Sequence, residues 1–77
     1  MTIAAIKNTA RLAGVSLREL GARSGVVYSR ISDAFNGWVQ LKEPEIEAID
    51  KALQNAIRDR VEKLNKLAGR KSRNEQG

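Results

Sequence analysis

Apolar residues recur along this chain at helical spacing, and no stretch alternates as a half-buried strand does. Ile3, Ile6, Ala10 and Ala13 share one side of a first helix, which Gly14 ends. Ser16-Leu17-Arg18-Glu19 has the form of a capping box. The Ser16 oxygen accepts from the Glu19 N–H, and the Glu19 carboxylate reaches back to Ser16. A short second helix follows with Leu20 inward, and Gly25 stops it. A third helix starts near Val27 and runs to about Phe35, where Asn36-Gly37 breaks it. At about 100° per residue, Val27, Ile31, Ala34 and Phe35 fall on one face of that helix. Ser29, Ser32, Asp33 and Asn36 fall on the other, with Tyr28 and Arg30 on its two flanks.

Residues 38–43 read as a loop, and Pro44 sits where proline is favoured, in the first turn of a helix. Glu45 and Glu47 lie near the positive end of that helix, which suits them. From Pro44 to Ala68 no Gly or further Pro intervenes. Ile46, Ile49, Leu53, Ala56, Ile57, Val61, Leu64, Leu67 and Ala68 form one stripe, roughly 140° wide. Glu47–Lys51, Asp59–Lys63 and Glu62–Lys66 are i,i+4 pairs in the favourable acid-first order. Residues 69–77 carry no apolar side chain and are expected to form a disordered basic tail. The stripe over residues 56–68 has two readings. It is a fifth helix folded back on its own domain, or an extension of the fourth that pairs with a second copy. The lack of a breaker at Gln54-Asn55 favours extension and pairing. The expected fold is therefore all-α, with four to five helices over residues 1–68.

A length of 77 residues allows one domain. Such a domain buries only about 60% of its unfolded surface and needs disulfides, metal or self-association for support. Cys and His are both absent, which excludes disulfides, thiolate metal sites and any nucleophile paired with His. Self-association, as a homodimer, is the route left. No catalytic constellation is visible, so neither enzymatic activity nor a cofactor, metal or small-molecule ligand is expected. Lys and Arg number 14 against 9 Asp and Glu, a formal charge of +5. That balance favours a polyanionic partner, nucleic acid ahead of an anionic membrane surface. No apolar run approaches the roughly 20 residues a membrane span needs. The N-terminal residues lack a basic start followed by an apolar stretch, so a cytoplasmic protein is expected.

Residues 16–37 are a short helix, a tight glycine turn and a second short helix. Gly21 or Ala22 allows the two helices to approach closely, Gly25 makes the turn, and Val26 and Ile31 lock the pair to the core. This segment resembles the helix-turn-helix of the lambda repressor and Cro-like family. The family's Ser/Thr, Leu-Ala, Gly-Val, Ile and closing Gly correspond to Ser16, Leu20-Gly21, Gly25-Val26, Ile31 and Gly37. Phe35-Asn36-Gly37 resembles the end of the family's recognition helix, and residues 45–53 resemble its fourth helix. Ile6, Gly14 and Val15 fit its first. The likeness covers about residues 3–54. The chain departs from the pattern at Leu17, where the family usually has Gln, at Val27, where a capping residue is usual, and at Asp33, where a basic or neutral polar residue is common.

The resemblance implies double-stranded DNA as partner, read in the major groove by the third helix, and a regulator of a phage or mobile element, most simply a repressor occupying an operator. It implies Tyr28 and Ser29 at base-reading positions, Ser32 and Asp33 deeper in the groove, and Asn36 at a phosphate. Periodicity places the same residues on the outward face. Arg30 is suited to guanine or phosphate, or else pairs with Asp33 at i,i+3. Trp38 rests on the DNA backbone, or else belongs to a core or interface. Ser16, Arg18, Gln40 and Lys42 lie where backbone contacts position a protein without reading sequence. Ile57, Val61, Leu64 and Leu67 are the candidate dimer residues. Two other roles stay open: an accessory nucleic-acid module, and an antitoxin-like adaptor that uses its C-terminal helix.

Overall fold

The computed structural model describes the backbone of residues 2–76 and the side chains of residues 2–68. Four helices follow in order: α1 (Ile3–Ala13), α2 (Leu17–Ser24), α3 (Tyr28–Phe35) and α4 (Glu43–Gln76). No strand occurs among the described residues. None of these helices is long and apolar enough to cross a membrane. The expected tail, residues 69–77, lies outside the described side chains.

The helix boundaries follow local chemistry. Thr2 caps α1 by accepting from the Ala5 N–H at 3.2 Å. At its other end the Val15 N–H returns to the Ala10 carbonyl at 2.9 Å, which satisfies a terminal acceptor. Ser16 caps α2, its Oγ accepting from the Glu19 N–H at 3.1 Å. The return arm of the expected capping box is not made. The Glu19 carboxylate turns instead to two arginines, as described below, because a guanidinium offers it charge-assisted bonds that a backbone N–H does not. Gly25 ends α2 at φ 80°, a left-handed conformation that costs glycine little. Three residues later α3 begins at Tyr28, with no side-chain cap from Val27. α4 starts one residue before Pro44, and the Lys42 carbonyl accepts from the Ile46 N–H at 3.0 Å.

The core is the crossing of these helices. Ile6 from α1, Leu20 from α2, Ile31 from α3, and Ile49 and Leu53 from α4 are fully buried. Each such side chain contributes on the order of 1.5–3 kcal/mol. Val26, Phe35, Leu41, Ile46 and Ile57 pack partly buried around them. The contact between α2 and α3 is tight at one point. A Cβ on Gly21 would lie 3.1 Å from the Val26 carbonyl oxygen and 3.2 Å from the Tyr28 backbone N. Gly21, not the exposed Ala22, is therefore the residue that admits the close crossing.

α4 is one unbroken helix past Gln54-Asn55, so no separate fifth helix forms. Its stripe is sealed as far as Ala56, partly covered at Ile57 and bare from Val61 on. Leu53 and Ala56 are 0% exposed, whereas Val61, Leu64 and Leu67 are 47%, 65% and 54% exposed. Ile57 lies at the transition, half-buried against its own core, and does not join the bare surface assigned to it with the other three. At this transition the Arg60 guanidinium donates to Glu19 at 2.7 and 3.0 Å, and to the carbonyls of Ala56 and Gly14. Arg23 joins Glu19 at 3.1 Å and Asp59 at 2.9 Å. Asp59 is thus engaged by α2 and not by Lys63 as its spacing suggested. The Arg60 bonds, then burial, then the Arg23 bonds set the acidity of Glu19, and the net effect holds its carboxyl below the usual value.

Candidate nucleic-acid interface

α3 offers one flank to the core and the other to solvent. Ile31 and Ala34 are buried, and Phe35 packs partly beside them. On the opposite side Ser29 and Asn36 are exposed and Ser32 and Asp33 half-buried, while Tyr28 and Arg30 are exposed at the two margins. The division follows the 3.6-residue period of a helix seated by Ile31, except that Val27, expected on the inward face, precedes the helix as its N-cap and is 65% exposed. Small polar side chains leave this face low, so that a surface with its own relief can approach the helix closely.

The margins of this face are held from neighbouring elements. At the start of α3 the Arg18 guanidinium, projecting from α2, lies 5.8 Å from the Tyr28 ring centroid, a cation–π approach. Ser16, at the head of α2, uses one lone pair on the Glu19 N–H and keeps its own proton to donate. At the far end of α3 the Lys7 ammonium donates to the Phe35 carbonyl at 3.2 Å, joining α1 to the helix terminus. Lys7, Asn8 and Arg11 there rim an open cleft of about 460 Å³ that runs to Asn36 and Gly37. These α1 residues are not among the candidate contacts that the chain's spacing indicates. The available signal was that no Asp or Glu precedes Glu19, so the α1 cations face no acid of their own helix.

Arg30 is not paired with Asp33. Its Nε and Nη2 donate to the two carboxylate oxygens of Glu45, at 2.6 and 3.0 Å. Glu45 also accepts from the Lys42 N–H at 3.0 Å, the return arm of a capping arrangement at the head of α4. The Arg30 bonds first, and the Lys42 N–H second, pull the Glu45 carboxyl down to about 2. Glu45 therefore carries its charge throughout the ordinary pH range. In the sequence Glu45 shows only as an acid suited to a helix N-terminus, because a partner 15 residues away leaves no trace in local spacing.

Trp38 is 77% exposed, which removes the reading of it as a core residue. Its backbone N–H closes the end of α3 on the Asp33 carbonyl at 2.9 Å. Gln40 and Lys42 are exposed on the segment that follows. Ser16, Arg18, the outward residues of α3 and the 38–42 segment thus come from neighbouring elements, whereas Val61, Leu64 and Leu67 belong to the bare part of α4. No protein family, characterised protein or solved structure matches this chain.

Proposed function

We propose that this protein is a sequence-specific DNA-binding regulator of the lambda repressor and Cro-like helix-turn-helix type, acting without catalysis. In this reading α2 and α3 form the helix-turn-helix, and the outward face of α3 enters the major groove. Ser29, Ser32 and Asp33 face base edges, with Tyr28 and Arg30 at the margins. Ser16, Arg18, Asn36, Trp38, Gln40 and Lys42 meet the sugar–phosphate backbone. The observation that carries the reading is the low polar face of α3, seated by the buried Ile31, with the Arg18 guanidinium of α2 beside Tyr28 at its start and Lys42 exposed on the segment that follows. A net charge of +5 supports a polyanionic partner.

The regulator acts as a two-fold dimer joined through Val61, Leu64 and Leu67. One short recognition helix reads few bases, and a dimer doubles the site. Occupation of an operator, in the cytoplasm of a bacterial host of a phage or mobile element, is the setting this reading implies. The same bare stripe favours a second role, an antitoxin-like adaptor whose C-terminal helix holds a different protein. Selection from random duplexes separates the two roles. The regulator enriches a defined sequence, and its affinity falls roughly 10³-fold or more between about 50 and 200 mM salt. An adaptor without DNA function enriches nothing.

A further inference from the structure

We propose that Glu45 is a specificity-determining residue: it holds the Arg30 guanidinium side-on and so presents the opposite edge of the fork as a fixed reader of guanine. This rests on the DNA-binding reading above. A guanidinium has five N–H donors in a rigid plane. Glu45 takes the Nε donor and one Nη2 donor. Two donors on Nη1 and one on Nη2 remain, and the Nη1/Nη2 edge is the second edge able to make a pair of parallel bonds. Guanine offers a matching acceptor pair, O6 and N7, in the major groove.

Three features make the arrangement a device for selectivity. Lys42 donates its N–H to the same carboxylate, so Arg30 is referenced to the head of α4 as well as to α3. The side chain would otherwise lose rotamer freedom on binding, and a clamped fork has lost it beforehand. The pair is also neutral as a unit. Arg30 held this way adds little to general phosphate attraction, and the carboxylate resists phosphates that come close. Specific and non-specific binding are therefore separated at one position.

The test compares wild type, Glu45→Gln, Arg30→Ala and the double variant. Affinity is measured for the selected duplex, for that duplex with the contacted guanine pair changed, and for random duplex, across a salt series. Helix content and thermal midpoint confirm that each variant is folded. For Glu45→Gln we expect tighter binding to random DNA, a salt dependence steeper by about one released counterion, and a roughly tenfold loss of the specific-to-random ratio. That loss should be confined to one guanine position. Arg30→Ala should erase the same base preference, and Glu45→Gln should add nothing to it. A Glu45→Gln ratio equal to wild type, or a loss spread evenly over all positions, overturns the proposal and leaves DNA binding standing. A wild type that selects no sequence overturns both. The Arg30 Nε–H signal in the free protein gives a readout independent of DNA. It should be slow to exchange in wild type and fast in Glu45→Gln, and equal rates contradict the clamp.

Discussion

The two parts of α4 carry one continuous apolar stripe and meet different surroundings. Up to Ala56 the stripe closes the core against α1 and α2. From Val61 to Leu67 the same spacing leads into solvent. Periodicity therefore states which face of a helix is apolar, and the length of the neighbouring elements decides how much of it the same chain covers. α1, α2 and α3 run for only 11, 8 and 8 residues, too short to accompany a helix of 34. The change of surroundings is marked by Arg60, which joins α4 to Glu19 of α2 and the carbonyl of Gly14.

The contrast is broken most sharply by equal truncations on either side of Arg60. Leu53→Ala should cost about 2–5 kcal/mol, because it opens a cavity in a filled core. Leu64→Ala should stay within roughly 0.5 kcal/mol of wild type in dilute solution. At high protein concentration its cost should grow, as the lost contact is then one between copies. Denaturant titrations at two concentrations read both effects. Equal costs at both positions in dilute solution would mean that the far part of α4 is covered by its own chain.

A smaller effect is expected at the boundary itself. Glu19 is held below its ordinary pKa of 4.5, first by the hydrogen bond from Arg60. A depressed carboxyl adds stability that is present above the unfolded value and lost as pH falls through the folded one. Glu45 behaves in the same way, between the ordinary value of 4.5 and about 2. Wild type should therefore lose stability on acidification from about pH 4.5 downward, following the depressed carboxyls. Glu19→Gln should lower stability near neutrality by less than Leu53→Ala does, and should flatten the acid-side slope. Thermal midpoints between pH 7 and 3 measure this. An unchanged slope would remove Glu19 from the network that joins the two parts of the helix.

The smallest effect concerns α2, which packs between α3 and the sealed part of α4. Gly21→Ala gains about 1 kcal/mol of helix propensity, and sets a methyl 3.1 Å from the Val26 carbonyl oxygen. These oppose each other, and a net change within about 1 kcal/mol is expected. Gly21→Val adds branched atoms to the same contact and should be clearly destabilising, by roughly 1–3 kcal/mol. Chemical denaturation of both variants checks the order. A stable valine variant would show that the crossing of α2 and α3 can open without loss.

The features legible in the sequence are those written within a turn or two of chain. Ser16 capping the Glu19 N–H, the stop at Gly25, the inward Leu20 and Ile31, and the outward Ser29 and Asn36 all depend on spacing of a few residues. What escaped is non-local. Glu19 meets Arg60 across 41 residues and Arg30 meets Glu45 across 15, and in each case a local alternative, Ser16 or Asp33, looked sufficient. Ile57 shares its face with Val61, yet the core extends one turn along that face to include it, which the stripe alone does not disclose. A lone Trp in a small domain fits a core or interface, yet Trp38 is exposed, and its spacing from α3 gives no sign of which.

The most direct measurement is of the complex between the full chain and the duplex it selects, by sedimentation combined with sequencing of the selected pool. Two chains per duplex are expected, on an inverted repeat whose half-sites lie about one helical turn, roughly 10–10.5 base pairs, or a multiple of it, apart. Val61→Asp with Leu64→Asp should leave a folded chain that binds a single half-site weakly. A pool that enriches no sequence, with a wild type that stays monomeric at high micromolar concentration, would contradict both the reading helix and the paired one.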